Sequence, residues 1–420
     1  MTCKYGVWAG IRPDDKNMVV TKKLLLIIFL VSLVLRVGLL IVYSGSYKAE
    51  QADALDYDGI ASNILAGNGF SNNGEPTQTK PPVYPLFLAA VFGVFGHGDF
   101  PVKLLQCILS ALTAVLITVA CSKMFSAETA VTAGLISALY PPFIIYSNLK
   151  LSETLFTFLL ITDCLMLIKS FETLKPKHFA LAGILMGITT LCRATTIFFA
   201  VFLLPAVLFA KDRKKFLKGL ALYFIISACV VSVWTIRNYA VFKTFLPVNV
   251  GSGHIMWLNL KDQWDGDQLI EPDIYEDYPD LKGMQRYEWE KIVTRRVAKY
   301  AVEHPVIYSS KLIKNIFRLW YLPVGKVLLA ARSKLAASLY QTAHLLFVLI
   351  SFYGIFISLK RLRLPAVFPA LIFLIYLQVM QIPFVSIPRY RLPFEPFLIM
   401  FFSLAVSGLA GKYITGNLKS

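Results

Sequence analysis

The sequence predicts an all-α, multi-pass membrane protein, and three observations carry that reading. Hydrophobic residues make up 56% of the 420-residue chain and charged residues only 16%, against about 25% charged in soluble domains. The mean hydropathy is +0.62. Several apolar runs approach or exceed the roughly 18 residues that mark a transmembrane helix. The formal charge of +17 follows from cytoplasmic loops rich in Lys and Arg and from attraction to anionic lipid headgroups. Nucleic acid is not an expected partner, because the basic residues are split among short loops. Part of the excess suits an anionic substrate. The six cysteines avoid the long polar loops and form no CxxC, which argues against disulfides and a structural zinc site.

Taken in order, residues 1–23 form a basic flank that belongs in the cytoplasm. Leu24–Tyr43 is the first span, too long for a signal-peptide core and followed by no A-x-A site, so it reads as a retained anchor. Arg36 inside it needs either a route to the interface or a partner such as Asp53 or Asp163. Residues 44–80 form an outer loop, Pro81–Phe95 is short enough to lie at the interface, and the first outer loop as a whole extends over 44–100. Pro101–Cys121 runs inward, Ala127–Ser147 outward and Leu151–Lys169 inward. His178–Ala210 reads as two short helices meeting at an outward turn at Arg193, since a single span would bury that Arg. The basic loop 211–218 is then cytoplasmic and Phe216–Ile236 leads out. Residues 237–338 form a second outer segment whose acidic middle, 262–280, reads as a solvated loop. Tyr340–Leu359, Pro365–Phe384 and Phe394–Ala410 complete about ten spans, with basic 360–363 inside and a short cytoplasmic tail. The chain divides into a transmembrane module over 1–236, the outer segment over 237–338 and C-terminal helices over 339–420, with no internal repeat.

This topology gathers Asp53, Asp56, Asp58, Lys80, Lys150, Glu153, Arg193, Arg237, Asn238, Arg389 and Arg391 on the outer face. A carboxylate can serve as general base toward a hydroxyl, and Arg and Lys can bind and neutralise phosphate. The set therefore suits a reaction in which a lipid-linked phosphate leaves and an alcohol or amine attacks. Asp53 and Asp56 share a helix face by their spacing; Asp58 points away and reads as surface. Each residue also has a plainer reading. Asp53 and Asp56 can cap or solvate a helix, Glu153 suits a helix N-terminus, Arg237 can end its helix, and Arg389 and Arg391 can bind outer-leaflet lipid.

Six stretches, in order, resemble the GT-C membrane glycosyltransferases, and within them the family 39-like proteins related to protein O-mannosyltransferases and lipid A aminoarabinose transferases. They are QADALDYDGIASNILAGNGF (51–70), TKPPVYPLFLAAVFGVFG (79–96), YPPFIIYSNLKLSETLF (140–156), GILMGITTLCRATTIF (183–198), VWTIRNYAVFKTFLPVN (233–249) and PRYRLPFEPFLI (388–399). The resemblance implies a GT-C-like bundle whose first outer loop bears the active site, with a small helical outer segment. It implies a polyprenyl-phosphate sugar donor, inversion at the anomeric carbon and a site facing outside the cytoplasm of a cell membrane. Asp53 matches the family's acidic position in the first outer loop, its general base. Lys80 matches a Lys-Pro that holds the carrier phosphate, Arg193 a basic position in a broken helix, and Arg389 or Arg391 the late basic motif. Tyr84, Glu153 and Arg237 are grouped with these as substrate-side candidates. Here Asp53 is followed by Ala54 where relatives carry Asp-Glu, so the base is Asp53 or Asp56. No Glu/His metal pair stands beside Lys80, so no metal ligand or cofactor is assigned, and a divalent metal stays an open alternative.

The leading expectation is thus a glycosyltransferase acting on an unspecified lipid, glycan or protein acceptor, with membrane lipids around it. The rival from another class is a transporter or flippase for a lipid-linked or anionic solute, which predicts charges at the midplane reachable from both sides. A scaffold for envelope assembly predicts that Asp53 is dispensable.

Overall fold

The structure is a computed structural model that describes residues 20–42, 51–262, 264–265, 268–269, 272–323, 333–361 and 364–416. The basic flank before residue 20, the start of the first outer loop, parts of the acidic stretch and of the 360–363 loop, and the last four residues lie outside those ranges.

The protein is a multi-pass helical bundle. Among the described residues, six helical segments are long and apolar enough to cross a membrane: Lys22–Val42 (α1), Asp99–Met124 (α4), Glu153–Thr173 (α7), Arg213–Phe242 (α10), Lys334–Lys360 within Lys334–Arg361 (α15), and Pro388–Gly408, which ends in Glu395–Gly416 (α17). Shorter or broken pieces run between them: Ala127–Leu139 (α5) with Pro141–Tyr146 (α6), Pro176–Cys192 (α8), the irregular run Ala194–Phe209, which holds the single turn Phe199–Phe202 (α9), and Leu364–Gln381 (α16). The expected single span over Ala127–Ser147 is therefore two helices. Pro141 and Pro142 cannot continue the backbone ladder, and Tyr140 before them is extended at φ −68°, ψ 113°, as a residue preceding proline tends to be.

That break explains Arg36. Its side chain is fully buried, and neither Asp53 nor Asp163 is its partner. The guanidinium donates to Ser137 O at 3.1 Å, Ala138 O at 3.0 Å, Ser32 O at 2.9 Å and Ser110 Oγ at 2.7 Å. Carbonyls freed at the end of α5 thus satisfy the cation, which sits at the negative end of that helix dipole.

Close approaches fix the bundle. Gly183 and Gly187, four apart on α8, face α10; a Cβ at Gly183 would meet Tyr223 O at 2.7 Å and one at Gly187 would meet Val230 Cβ at 2.5 Å. Small residues at this spacing let membrane helices touch backbone to backbone. Gly354 on Lys334–Arg361 (α15) abuts the Phe401 carbonyl of Glu395–Gly416 (α17) even more closely.

Alternation of the passes puts Lys22, Lys23, Lys123, Lys175, Lys177, Lys211, Lys214, Lys215 and Lys360 at one end. At the other end lie Gln51–Leu65 (α2), a two-residue hairpin (Ser71–Asn72, β1, with Glu75–Pro76, β2) and Val83–Phe95 (α3). The hairpin turns through Asn73 and Gly74 at φ 50° and 82°, the left-handed pair a two-residue hairpin turn requires. Ser252–Lys261 (α11), Ile274–Asp277 (α12), Arg286–Glu303 (α13) and Pro305–Tyr321 (α14) form a small helical unit at this end around Trp257, Leu281, Trp289 and Val293. Part of the acidic stretch 262–280 lies outside the described residues; within them Asp262 pairs with Lys314 and Arg318, Asp277 with Lys261, and Asp280 with Arg296, while Asp273 and Glu276 are exposed. The end of α14 also enters the bundle, where Trp320 stacks edge-on against Phe352 and Phe394.

Packing at Gly354 gives a direct test. Gly354→Ala is expected to lower stability by about 1–3 kcal/mol, the usual cost of overpacking. Gly38→Ala, where a Cβ meets nothing within 4 Å, is expected to cost nothing; thermal midpoints of the two purified variants check the contrast.

Candidate functional site

At the end opposite the lysines, five side chains from distant parts of the chain converge. Asp53 lies in the first turn of α2. Lys80 stands in the turn that Pro81 and Pro82 force before α3. Glu153 opens α7, where a carboxylate suits the helix dipole. Arg193 ends α8 in an extended conformation, φ −149°, ψ 122°, at the turn the sequence places there. Arg389 sits in the 3₁₀ turn Pro388–Phe394 ahead of α17.

The carboxylates bind these cations together. Asp53 Oδ1 accepts from Lys80 Nζ, and Asp53 Oδ2 accepts from Arg389 at 2.5 Å. Glu153 Oε1 lies 2.6 Å from Arg193 and 3.8 Å from Arg389 Nε, so the two guanidinium groups share one carboxylate. Asp56 Oδ2 stands 3.3 Å from Lys80. The cluster is partly open: the Asp53 side chain is 29% exposed and that of Lys80 15%, while Glu153 at 3% forms its floor. Burial pushes the Asp53 carboxyl up, but the charges of Arg389 and Lys80 and their hydrogen bonds outweigh it and hold it well below the usual carboxylate range. Burial likewise disfavours charge on Lys80, and Asp53 overcomes it, raising the ammonium above its ordinary value.

Two aromatic rings complete the cluster and were missed in the sequence. Tyr57 lies beneath Lys80, 5.2 Å from ring centroid to Nζ, and burial pushes its phenol up to about 12. Its position four residues past Asp53 on one helix face was the available signal. Tyr390 lies 5.7 Å from the Arg193 guanidinium and 5.6 Å from that of Arg389. It is flanked in sequence by the two arginines read as site candidates, but nothing in that spacing says which one the ring accompanies.

Other candidates are placed elsewhere. Tyr84 is fully buried, donates to Gln106 at 2.7 Å and touches the cluster only through Tyr57, its edge-on neighbour at 4.8 Å. Arg237 donates to Phe70 O at 2.8 Å and Thr77 O at 3.1 Å and stacks on Trp234, so it staples the first outer loop to α10. Asn238 binds the carbonyls of Leu246 and Val248. Arg391 is fully buried, paired with Glu395 at 2.7 Å and donating to Leu319 O and Leu322 O; Arg389, not Arg391, reaches the cluster. Asp58 is not a surface residue: it pairs with Lys150, which also holds Asp99 at 2.7 Å, a second ion-pair group that ties α2 to α4. Among the described residues no group of three or more His, Cys, Asp or Glu side chains is placed to hold a metal ion.

Comparison with known proteins agrees with this architecture. Residues 79–236 match the family model of dolichyl-phosphate-mannose-protein mannosyltransferases. The archaeal oligosaccharyltransferase AglB from Archaeoglobus fulgidus, in complex with an inhibitory peptide and a dolichol-phosphate, superposes with a TM-score of 0.58 at 16% identity, over 94% of this chain and 51% of that one. The apo form of the A. fulgidus enzyme superposes with a TM-score of 0.60 at 14% identity, again over 94% and 51%. This chain thus spans about half the length of the oligosaccharyltransferase whose fold it shares. ArnT from Cupriavidus metallidurans bound to undecaprenyl phosphate superposes only loosely, with a TM-score of 0.41 at 13% identity over 93% of this chain and 77% of that one. No curated protein matches by sequence. Over residues 79–236 the chain is similar to that mannosyltransferase family, and its helical bundle has the fold of the archaeal oligosaccharyltransferase.

The ion pairs set a pH dependence. A carboxyl whose pKa is lowered by folding binds its proton more weakly folded than unfolded. Its stabilisation is therefore present above the unfolded value of about 4 and is lost as pH falls from there toward the folded value. Asp53→Asn is expected to have a lower thermal midpoint than wild type at pH 7, and the gap is expected to narrow steadily below about pH 4. A gap that stays constant down to pH 3 would show that the Asp53 pairs contribute nothing to folding.

Proposed function

We propose that the protein transfers a sugar from a polyprenyl-phosphate donor to an acceptor outside the cytoplasm, with inversion at the anomeric carbon. The observation that carries this reading is the meeting of Asp53 and Glu153 with Lys80, Arg193 and Arg389 at the bundle end away from the lysine-rich loops. By the positive-inside rule the lysine-rich end faces the cytoplasm, which turns the cluster outward in a cell membrane, at the depth of lipid headgroups. The archaeal relative in complex with a dolichol-phosphate carries the class of leaving group such a cluster suits.

In the proposed reaction an acceptor hydroxyl or amine gives its proton to a carboxylate, Asp53 in the first instance and Asp56 as the alternative. Its lone pair forms a bond to C1 of the sugar from the face opposite the phosphate. The C1–O bond breaks, and its electron pair leaves with the polyprenyl phosphate. The donor phosphodiester carries one negative charge and the released monoester up to two, so Lys80, Arg193 and Arg389 meet more charge at the end of the reaction than at the start. Interactions that strengthen along the reaction are the ones that accelerate it. The shape of the intramembrane charges favours this over a transporter: Arg36 and Asp163 are sealed by packing, and Arg36 is held by backbone carbonyls.

Purified protein supplied with a panel of polyprenyl-phosphate sugars and envelope extract is expected to release free polyprenyl phosphate. Lys80→Met is expected to slow release by about 10²-fold or more, the cost of removing one preorganised donor to developing charge. Release at the wild-type rate by Lys80→Met would remove Lys80 from the site. Tight donor binding with no release from any donor would favour the transporter.

A further inference from the structure

Asp53 has a conflict built into it. Each of its carboxylate oxygens is occupied by a cation, Oδ1 by Lys80 and Oδ2 by Arg389. A carboxylate held in this way is a weak proton acceptor, yet in the transferase reading it has to take the acceptor's proton. The cations that suppress it are the same ones the leaving phosphate needs. We propose that the donor's phosphate switches the base on: Lys80 and Arg389 pass from Asp53 to the phosphate oxygens, and only then is Asp53 free to accept a proton. This inference rests on the transferase reading.

The surroundings allow the exchange with little movement. Arg389 keeps a second carboxylate, Glu153 Oε1, 3.8 Å from its Nε, and the Tyr390 ring 5.6 Å away. Arg193 anchors the same Glu153 oxygen at 2.6 Å. Lys80 keeps Asp56 at 3.3 Å and Tyr57 beneath it. Both cations can therefore turn toward an incoming anion while staying tethered. The exchange also runs in the direction the chemistry requires. As the C1–O bond breaks, the electron pair and a second negative charge move onto the phosphate, drawing Lys80 and Arg389 further from Asp53. Asp53 gains basicity as the acceptor's proton arrives, so the proton, the new bond and the departing electron pair each have a place at the same moment.

Two measurements on the full chain test this. The first is affinity for polyprenyl phosphate alone. Asp53→Asn removes the competitor for both cations and is expected to bind about tenfold more tightly than wild type, on the scale of one charge-assisted hydrogen bond, while losing transfer. Asp56→Asn, whose carboxylate reaches one of the two cations, Lys80, and otherwise accepts from Asn72, is expected to gain less. Wild type that binds and transfers, beside a monodisperse Asp53→Asn that binds no more tightly, would overturn the exchange and leave the transferase standing. No binding by wild type or variant would bring down the transferase reading and the exchange with it. The second measurement uses unaltered protein and does not depend on a variant folding. The acid limb of kcat, which reports the bound complex, is expected near the ordinary carboxylate range of about 4, and that of kcat/KM, which reports the free protein, at clearly lower pH. Coinciding limbs would overturn the exchange.

Discussion

The pairing of two carboxylates with three cations is the constraint on which this end of the molecule depends. Lys80, Arg193 and Arg389 come from parts of the chain far apart in sequence, and three like charges gathered in one partly buried cluster repel one another. Asp53 and Glu153 offset that repulsion by giving each cation a short contact. The two carboxylates belong to different elements, α2 in the first outer loop and the opening turn of α7, so the pairs also close the loop onto the bundle. Around them, Arg237 pins the loop backbone at Phe70 and Thr77, and the segment leading into α11 pins it again through Val250 N on Gln78 O at 2.9 Å. Lys80 is thereby placed from both sides. Arg389 is placed in the same way, because the turn ahead of it is held by Asn315 of α14, which donates to Phe384 O at 3.0 Å. The small helical unit therefore buttresses both flanks of the cluster.

The charges deeper in the bundle are solved differently. Arg36 is satisfied by carbonyls at the α5–α6 break, and Arg391 by Glu395 and the carbonyls at the end of α14, while Tyr140 donates to the other Glu395 oxygen at 2.7 Å. Each is a closed node with no exposed side chain. A buried charge held on several sides in this way specifies packing. One that shares its partners and stays open to an anion is able to exchange them. The difference between Arg391 and Arg389, two residues apart, is the difference between those two arrangements.

Much of this was legible in the sequence. Long apolar runs were enough for the multi-pass helical bundle, and Arg193 in mid-run implied the break that the structure has. Asp53 and Lys80 stood out because carboxylates and a Lys-Pro beside a membrane span are uncommon. What the sequence could not supply was partner choice. Arg237, Arg389 and Arg391 look alike as outer-face arginines, and only tertiary contacts separate a staple, a member of the Asp53 cluster and a core ion pair. The break at Pro141 was visible as two prolines, but its use, to free carbonyls for Arg36, depends on α1 lying alongside. The pairing of Asp262, Asp277 and Asp280 was hidden for the same reason, since their basic partners lie on α14, α11 and α13, beyond the reach of local pattern.

The most direct test of the account is a structure of the protein with polyprenyl phosphate bound. The account predicts phosphate oxygens within about 3 Å of Lys80 and Arg389, ordinary charge-assisted hydrogen-bond reach, with Asp53 released from at least one of them and Glu153 still holding Arg193. A phosphate bound elsewhere, or one bound while Lys80 and Arg389 both remain on Asp53, would contradict it.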